Sequence, residues 1–180
     1  MLPILRRFTK YQGITRLYSE NKFVDHTEGR ESKVIKIGDE SSHTHKFTEE
    51  DLEKFAQVVG DYNPLHFSEE FAKEQGIFKK RVVHGMLLGG LISTVAGTKL
   101  PGPGSIYLNQ TFKFEKPAYL GDTVTAKVKL TQAFKSPRSD KKNIFVFETI
   151  CVNEETQQVL VKGEAKVFHP LVHVVDIVDE

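Results

Sequence analysis

Four stretches in the second half of the chain alternate apolar and polar side chains: "SIYLNQTFKFEKP" (105–117), "DTVTAKVKLTQAF" (122–134), "NIFVFETICVN" (143–153) and "QVLVKGEAKVF" (158–168). A period of two, with Lys and Glu on one side and Val, Phe and Leu on the other, predicts four antiparallel strands with one solvated face. Upstream, "SKVIKIGD" and, more weakly, "SHTHKFT" alternate as well, which predicts a strand pair turned at Gly38-Asp39-Glu40. From Thr48 the period becomes helical. Leu52, Phe55, Ala56 and Val59 recur at three- and four-residue intervals, and Thr48 with Asp51 has capping-box spacing. Pro64 has no N–H and disfavours the helical conformation at Asn63, so Asp61 to His66 is expected on a stiff turn after that helix. Ser68 is an N-cap candidate for a short exposed helix ending near Gly76.

The run from His84 to Leu100 is apolar on nearly every side, with Gly85, Gly89, Gly90 and Gly97 interspersed, and "PGPG" (101–104) ends it. A helix apolar all round is a buried one. Burying it requires a surface that curves around it, and a twisted antiparallel sheet provides that surface. The expected class is therefore α+β, with a sheet wrapped around a long central helix in the hot-dog arrangement, and residues 48–80 inserted between the early strands and that helix.

Composition narrows the picture. A chain of 180 residues with 39% hydrophobic content suits one globular domain. With 25 Lys+Arg against 24 Asp+Glu the net charge is +1, so no chain-wide field recruits nucleic acid or an anionic membrane. The single cysteine, Cys151, has no partner for a disulfide or a thiolate metal site and reads as a buried strand residue. The first twenty residues differ from the rest: Arg6, Arg7, Lys10 and Arg16 precede any acid, with apolar residues between them. That composition is expected of a mitochondrial leader over residues 1–18, with a mature start near Ser19, a matrix location, and residues 19–180 as the single domain. The alternative is a solvated basic arm. No apolar stretch approaches the length of about 20 residues needed to cross a bilayer, so no membrane insertion is expected.

The candidate chemistry sits in "GDYNPLH", Gly60 to His66. Asp61 and His66 flank a proline-stiffened turn and can meet in one cleft as an acid–base pair, with Asn63 between them. On the residues alone, Asx groups before a proline also serve as caps and turn formers. Downstream, "HGM" stands where the apolar helix begins, so the Gly85 N–H is one of the donors a helix N-terminus leaves unpaired. His84 is expected to brace that entrance through a hydrogen bond. Met86, Leu87, Leu88 and Leu91 are expected to line an apolar tunnel. His43 and His45 lie two apart on one strand face and read as a surface pair, and no metal or other cofactor is expected. The basic runs 78–81 and 135–143 read as solvated faces, or as contacts for phosphates or an acidic surface on a partner.

The stretch "FAQVVGDYNPLHFSEEFA" (55–72) resembles the hydratase 2 motif of the MaoC-like family, and "VVHGMLLGG" and "FKFEKPAYLGDTV" resemble its central helix and following strand. The resemblance, over about 47–128, implies a hot-dog homodimer that reversibly hydrates trans-2-enoyl thioesters to (3R)-hydroxyacyl thioesters. It implies Asp61 and His66 as proton-transfer groups, Gly85 as oxyanion donor, and Asn63, His84, Met86 and Leu87 around the substrate. Together with the leader it points to the mitochondrial 3-hydroxyacyl-thioester dehydratases and to acyl-carrier-protein substrates. An enoyl-CoA hydratase or a non-catalytic acyl-thioester binder are the alternatives.

Overall fold

A computed structural model describes residues 33–136, 139–170 and 172–174. The expected leader and its cleavage point lie outside them, as do Pro137 and Arg138 of the second basic run. Among the described residues no helix is long and apolar enough to cross a membrane.

The long alternating runs form the sheet. β2 (Glu40–Lys46), β5 (Thr123–Ser136), β6 (Ser139–Asn153), β7 (Val159–His169) and β3 (Ile106–Gln110) lie in the order β2-β5-β6-β7-β3, all neighbours antiparallel. The alternation sends Val124, Ala126, Val128 and Leu130 of β5, with Phe145, Phe147 and Cys151 of β6, into one core. Cys151 is fully buried, and burial pushes its thiol up to about 12.

Two strand expectations are corrected. The run 105–117 is not one strand: its register on β7 shifts between Tyr107 and Asn109, and the chain resumes as β4 (Lys113–Phe114), also on β7. The break occurs where the chain crosses Gly163, at which a Cβ would collide with the Thr111 carbonyl. Gly163→Ala is accordingly expected to destabilise the fold by about 1–3 kcal/mol, as overpacking does, read as a lower Tm. The expected hairpin at Gly38–Glu40 is absent as well. β1 (Val34–Ile35) pairs in parallel with β8 (His173–Val174), because the turn is stitched to β5 instead: Gly38 N–H donates to the Leu130 carbonyl at 2.8 Å and Leu130 N–H to that of Asp39 at 2.8 Å. These bonds extend the β2–β5 ladder and lead β1 away from β2.

α1 (Glu49–Val59) starts as its sequence dictates. The Thr48 side chain accepts from Asp51 N–H and the Asp51 carboxylate accepts from Thr48 N–H, a complete capping box. It ends at Gly60, whose φ of +81° is the left-handed conformation glycine adopts without a Cβ penalty. α4 (Gly85–Thr98) buries Leu88, Leu91, Ile92, Val95 and Ala96 against β2, β5 and β6. It is not buried all round, which corrects the expectation: Met86, Gly90 and Ser93 on the opposite face are exposed to a groove beside β3. At 3.6 residues per turn, positions 86, 89/90 and 93 share one face, and Leu87, Leu88 and Leu91 point elsewhere.

Candidate active site

The heptad after Gly60 is organised by its own short-range bonds. The Asp61 carboxylate accepts from Asn63 N–H through Oδ1 at 3.2 Å, and the Asn63 side-chain oxygen accepts from Leu65 N–H at 3.1 Å. Asn63 is thereby the N-cap of α2 (Pro64–Phe67), and Pro64 occupies its first turn. Proline fits there because its missing N–H would have no helical acceptor and its φ is preset. Asp61–His66 is thus not a turn throughout. The proline expected to stop helix starts one, and that helix carries His66. α3 (Glu69–Glu74) follows, capped by Ser68.

The segment 81–83 grips α2 from one side. Val82 N–H donates to the Leu65 carbonyl at 3.1 Å, and the Val82 carbonyl lies 2.8 Å from His66 Nδ1. A carbonyl only accepts, so Nδ1 carries the proton and Nε2 presents a lone pair. That nitrogen faces Asp61 Oδ2 at 3.8 Å. The Asp61 side chain is half exposed; His66 is 9% exposed. Burial lowers the His66 pKa below 6.5, assisted by neighbouring His84 and opposed by the Val82 hydrogen bond and by Asp61.

His84, the residue before α4, is 2% exposed and holds both groups. Its Nε2–H donates to the Asp61 backbone carbonyl at 3.0 Å, and its ring stacks on that of His66 with centroids 3.7 Å apart. Phe55 and Phe67 pack around it. Its Nδ1 has no hydrogen-bond partner among the described residues.

Asp61, His84, Gly85 and Met86 share a cavity of about 1000 Å³ with Phe55, Gly89, Gly90, Ser93 and, across from them, Tyr107, Gln110, Phe112 and Phe114. His66 is not itself on the wall; its Nε2 meets the cavity's edge through Asp61. Gly85 is the first residue of α4, so its N–H has no intrahelical acceptor. The Phe114 ring packs so close that a Cβ at Gly85 would lie 2.9 Å from it, and Phe112 stands in the same relation to Gly89. Leu87 packs against the core and Leu88 and Leu91 are buried within it, so of the four apolar helix residues only Met86 reaches the cavity.

Asp61, His66 and His84 bring three ligand-type atoms within 4.8 Å of one another. A tetrahedral zinc with Zn–N near 2.0–2.1 Å sets two imidazole centroids roughly 5 Å apart. Rings stacked at 3.7 Å, each tied to a carbonyl through one nitrogen, fit a hydrogen-bonded acid–base cluster better. His43 and His45 lie apart from it, with His45 Nε2 2.9 Å from Asp51.

Arg81 is the residue that sequence reading missed. Grouped with a solvated basic run, it is instead 15% exposed at its side chain, donating through Nε to the His66 carbonyl at 2.9 Å and through Nη1 to Glu49 at 2.7 Å. Nothing in the local pattern marks it, because its partners lie 15 and 32 residues away.

Residues 32–150 match the family model described as the MaoC like domain. The chain belongs to the MaoC-like family. Its relatives include an (R)-specific enoyl-CoA hydratase of Rhodospirillum rubrum, 42% identical over 136 residues, covering 76% of this chain and 89% of the relative. Another is a mitochondrial 3-hydroxyacyl-[acyl-carrier-protein] dehydratase of Arabidopsis thaliana, 34% identical over 137 residues, covering 76% and 79%. Among solved structures, an (R)-hydratase from A. caviae involved in PHA biosynthesis superposes with a TM-score of 0.68 at 35% identity, covering 76% of this chain and 98% of that one. The MaoC-like hot-dog fold is therefore the fold of this chain.

Proposed function

We propose that the protein reversibly hydrates trans-2-enoyl thioesters to (3R)-3-hydroxyacyl thioesters, acting on acyl-carrier-protein intermediates of fatty acid synthesis in the mitochondrial matrix after removal of the leader near Ser19. The observation that carries the reaction class is the pairing of Asp61 Oδ2 with the His66 Nε2 lone pair, 3.8 Å apart, beside the N-terminus of α4. That gap is too long for a direct hydrogen bond, yet a single oxygen fits between the two, about 2.8 Å from each, donating one proton to each acceptor. In hydration that oxygen belongs to water. It bonds to C3, its proton passes to one member of the pair, and the α-carbon takes a proton back from the pair, so that H and OH add across the double bond. Between these steps the carbonyl oxygen carries enolate charge, and the Gly85 N–H at the positive end of α4 stabilises it. Dehydration is the reverse. Whether Asp61 or His66 handles the α-proton belongs to the coupled pair.

Coenzyme A is the second carrier, favoured by the higher identity to the R. rubrum hydratase. The same cavity serves both. β3 is an edge strand with Ile106 and Leu108 half exposed, and the groove beside it is open in the single chain. A second copy pairing along β3 would cover both, which supports a homodimer.

Turnover is tested by offering protein beginning near Ser19 (3R)- and (3S)-hydroxyacyl thioesters on both carriers and following enoyl absorbance. Faster turnover of (3R) substrates on carrier protein is expected; turnover of neither epimer sinks the reading. Chain length gives a second check. A Cβ at Gly90 meets nothing within 4 Å, and Gly90 lines the cavity. Gly90→Leu is expected to leave Tm unchanged while lowering kcat/KM for long acyl chains at least tenfold relative to four-carbon ones.

pH provides a third. With the His66 pKa lowered by burial, kcat/KM for hydration is expected to be level through pH 7 and to fall only below about 6.5, as the Nε2 lone pair is lost. Burial also lowers His43 and His169. All three bind protons more readily when unfolded, so their contribution to stability is complete above the unfolded value and declines as pH falls through the folded values. Tm measured from pH 7.5 down to 5 should therefore decrease.

A further inference from the structure

We propose that Arg81 is a positioning residue for His66, a role that rests on the hydration reading above. His66 must hold its Nε2 toward Asp61 while its ring stands between the Val82 carbonyl and the face of His84. Ring orientation alone does not achieve this, because α2 is a single turn of four residues and has little rigidity of its own. Three bonds with adjacent residues fix it: Arg81 Nε–H to the His66 carbonyl, Val82 N–H to the Leu65 carbonyl, and His66 Nδ1–H to the Val82 carbonyl. The same segment is anchored on its other side, where Leu120 N–H donates to the Arg81 carbonyl and Val83 N–H to that of Ala118. Arg81 is thus the side chain by which a segment bridged to residues 118–120 holds the backbone of His66, and Glu49 at the start of α1 holds the guanidinium.

The guanidinium's placement has a cost that surface residues avoid. Nη2 is buried with no hydrogen-bond partner among the described residues, and an unpaired buried donor is unfavourable. A planar fork that reaches a carbonyl and a carboxylate at once explains why the cost is borne, and a lysine, with one ammonium, reaches only one of the two. The groups facing the His66 ring are Asp61, His84 and the Val82 carbonyl; Arg81 acts on the backbone and not on the ring.

The test uses Arg81→Met, Arg81→Lys and Glu49→Gln in the full chain, with hydration kinetics on a four-carbon enoyl thioester and ¹⁵N NMR of the histidine side chains. Arg81→Met is expected to lower kcat about 10²-fold, as a misplacement of about 1 Å does, with KM within about twofold. It should also convert the single Nδ1–H tautomer of His66 into a mixture. Arg81→Lys should fall between it and wild type, and Glu49→Gln should lose less than about tenfold. An unchanged tautomer in Arg81→Met, or kcat within twofold of wild type, overturns the proposal. If the Met variant does not fold, an unchanged tautomer and kcat in the Lys variant does so. Absence of turnover by the wild type would remove the hydration reading, while the tautomer measurement would still decide whether Arg81 positions the ring.

Discussion

Asp61→Asn and His66→Ala are each expected to lower kcat for enoyl-thioester hydration by about 10²–10⁴-fold, the range of a lost general acid or base. Asparagine keeps the shape of Asp61 and an oxygen for the Asn63 N–H, and the His84 bond goes to the Asp61 backbone, which the substitution leaves in place. Tm should accordingly stay near wild type in Asp61→Asn. His66→Ala removes the partner of the Val82 carbonyl and the ring beneath His84, so a loss of about 1–3 kcal/mol in stability accompanies the loss of rate. The two groups share one oxygen in the proposed arrangement and act as a unit. The double variant should thus be little slower than the worse single one, as interdependent catalytic groups are. Rate losses that multiply would mean that the two groups act at separate steps. A binder with an idle dyad shows the opposite behaviour, since neither substitution changes a rate that is absent.

Gly85→Ala is the second large effect, with a cause that can be divided. If the Gly85 N–H receives the developing oxyanion, a methyl group beside it obstructs the carbonyl and costs about 10²–10³-fold in kcat. The same methyl also meets Phe114, 2.9 Å from its Cε1 and 3.2 Å from its Cζ. Phe114 is 51% exposed, so its ring can move aside at small cost and the protein should still fold. Pairing the substitution with Phe114→Ala separates the causes. Activity that stays low in the double variant assigns the glycine to the substrate; activity restored by removing the ring assigns it to packing.

What the sequence disclosed follows the range of the interactions involved. The capping box of α1 was legible because it is settled within four residues. The β5, β6 and β7 runs were legible because alternation reports burial directly. Pro64 was misread because the same missing N–H that ends one helix suits the first turn of another, and only the Asn63 cap decides between them. The pairing of β1 with β8 depends on residues some 140 positions apart, which no local pattern encodes. In α4 the apolar content was plain and the face was not: glycines at 89 and 90 and Ser93 carry too little hydropathic contrast to mark the open side. Within the site, Asp61 and His66 were legible together through the heptad, whereas Arg81 acquired its place only when 81–83 folded against α2.

In the proposed arrangement one oxygen stands between Asp61 and His66 while the thioester carbonyl lies on the Gly85 N–H. A crystal structure of the Asp61→Asn protein with a bound (3R)-3-hydroxyacyl pantetheine thioester measures this directly. The 3-hydroxyl is expected within about 3.2 Å of both residue 61 and His66 Nε2, and the carbonyl oxygen at about 2.9 Å from Gly85 N. A ligand whose hydroxyl contacts neither side chain, or whose carbonyl points away from α4 with the Phe114 ring still covering Gly85, would contradict it.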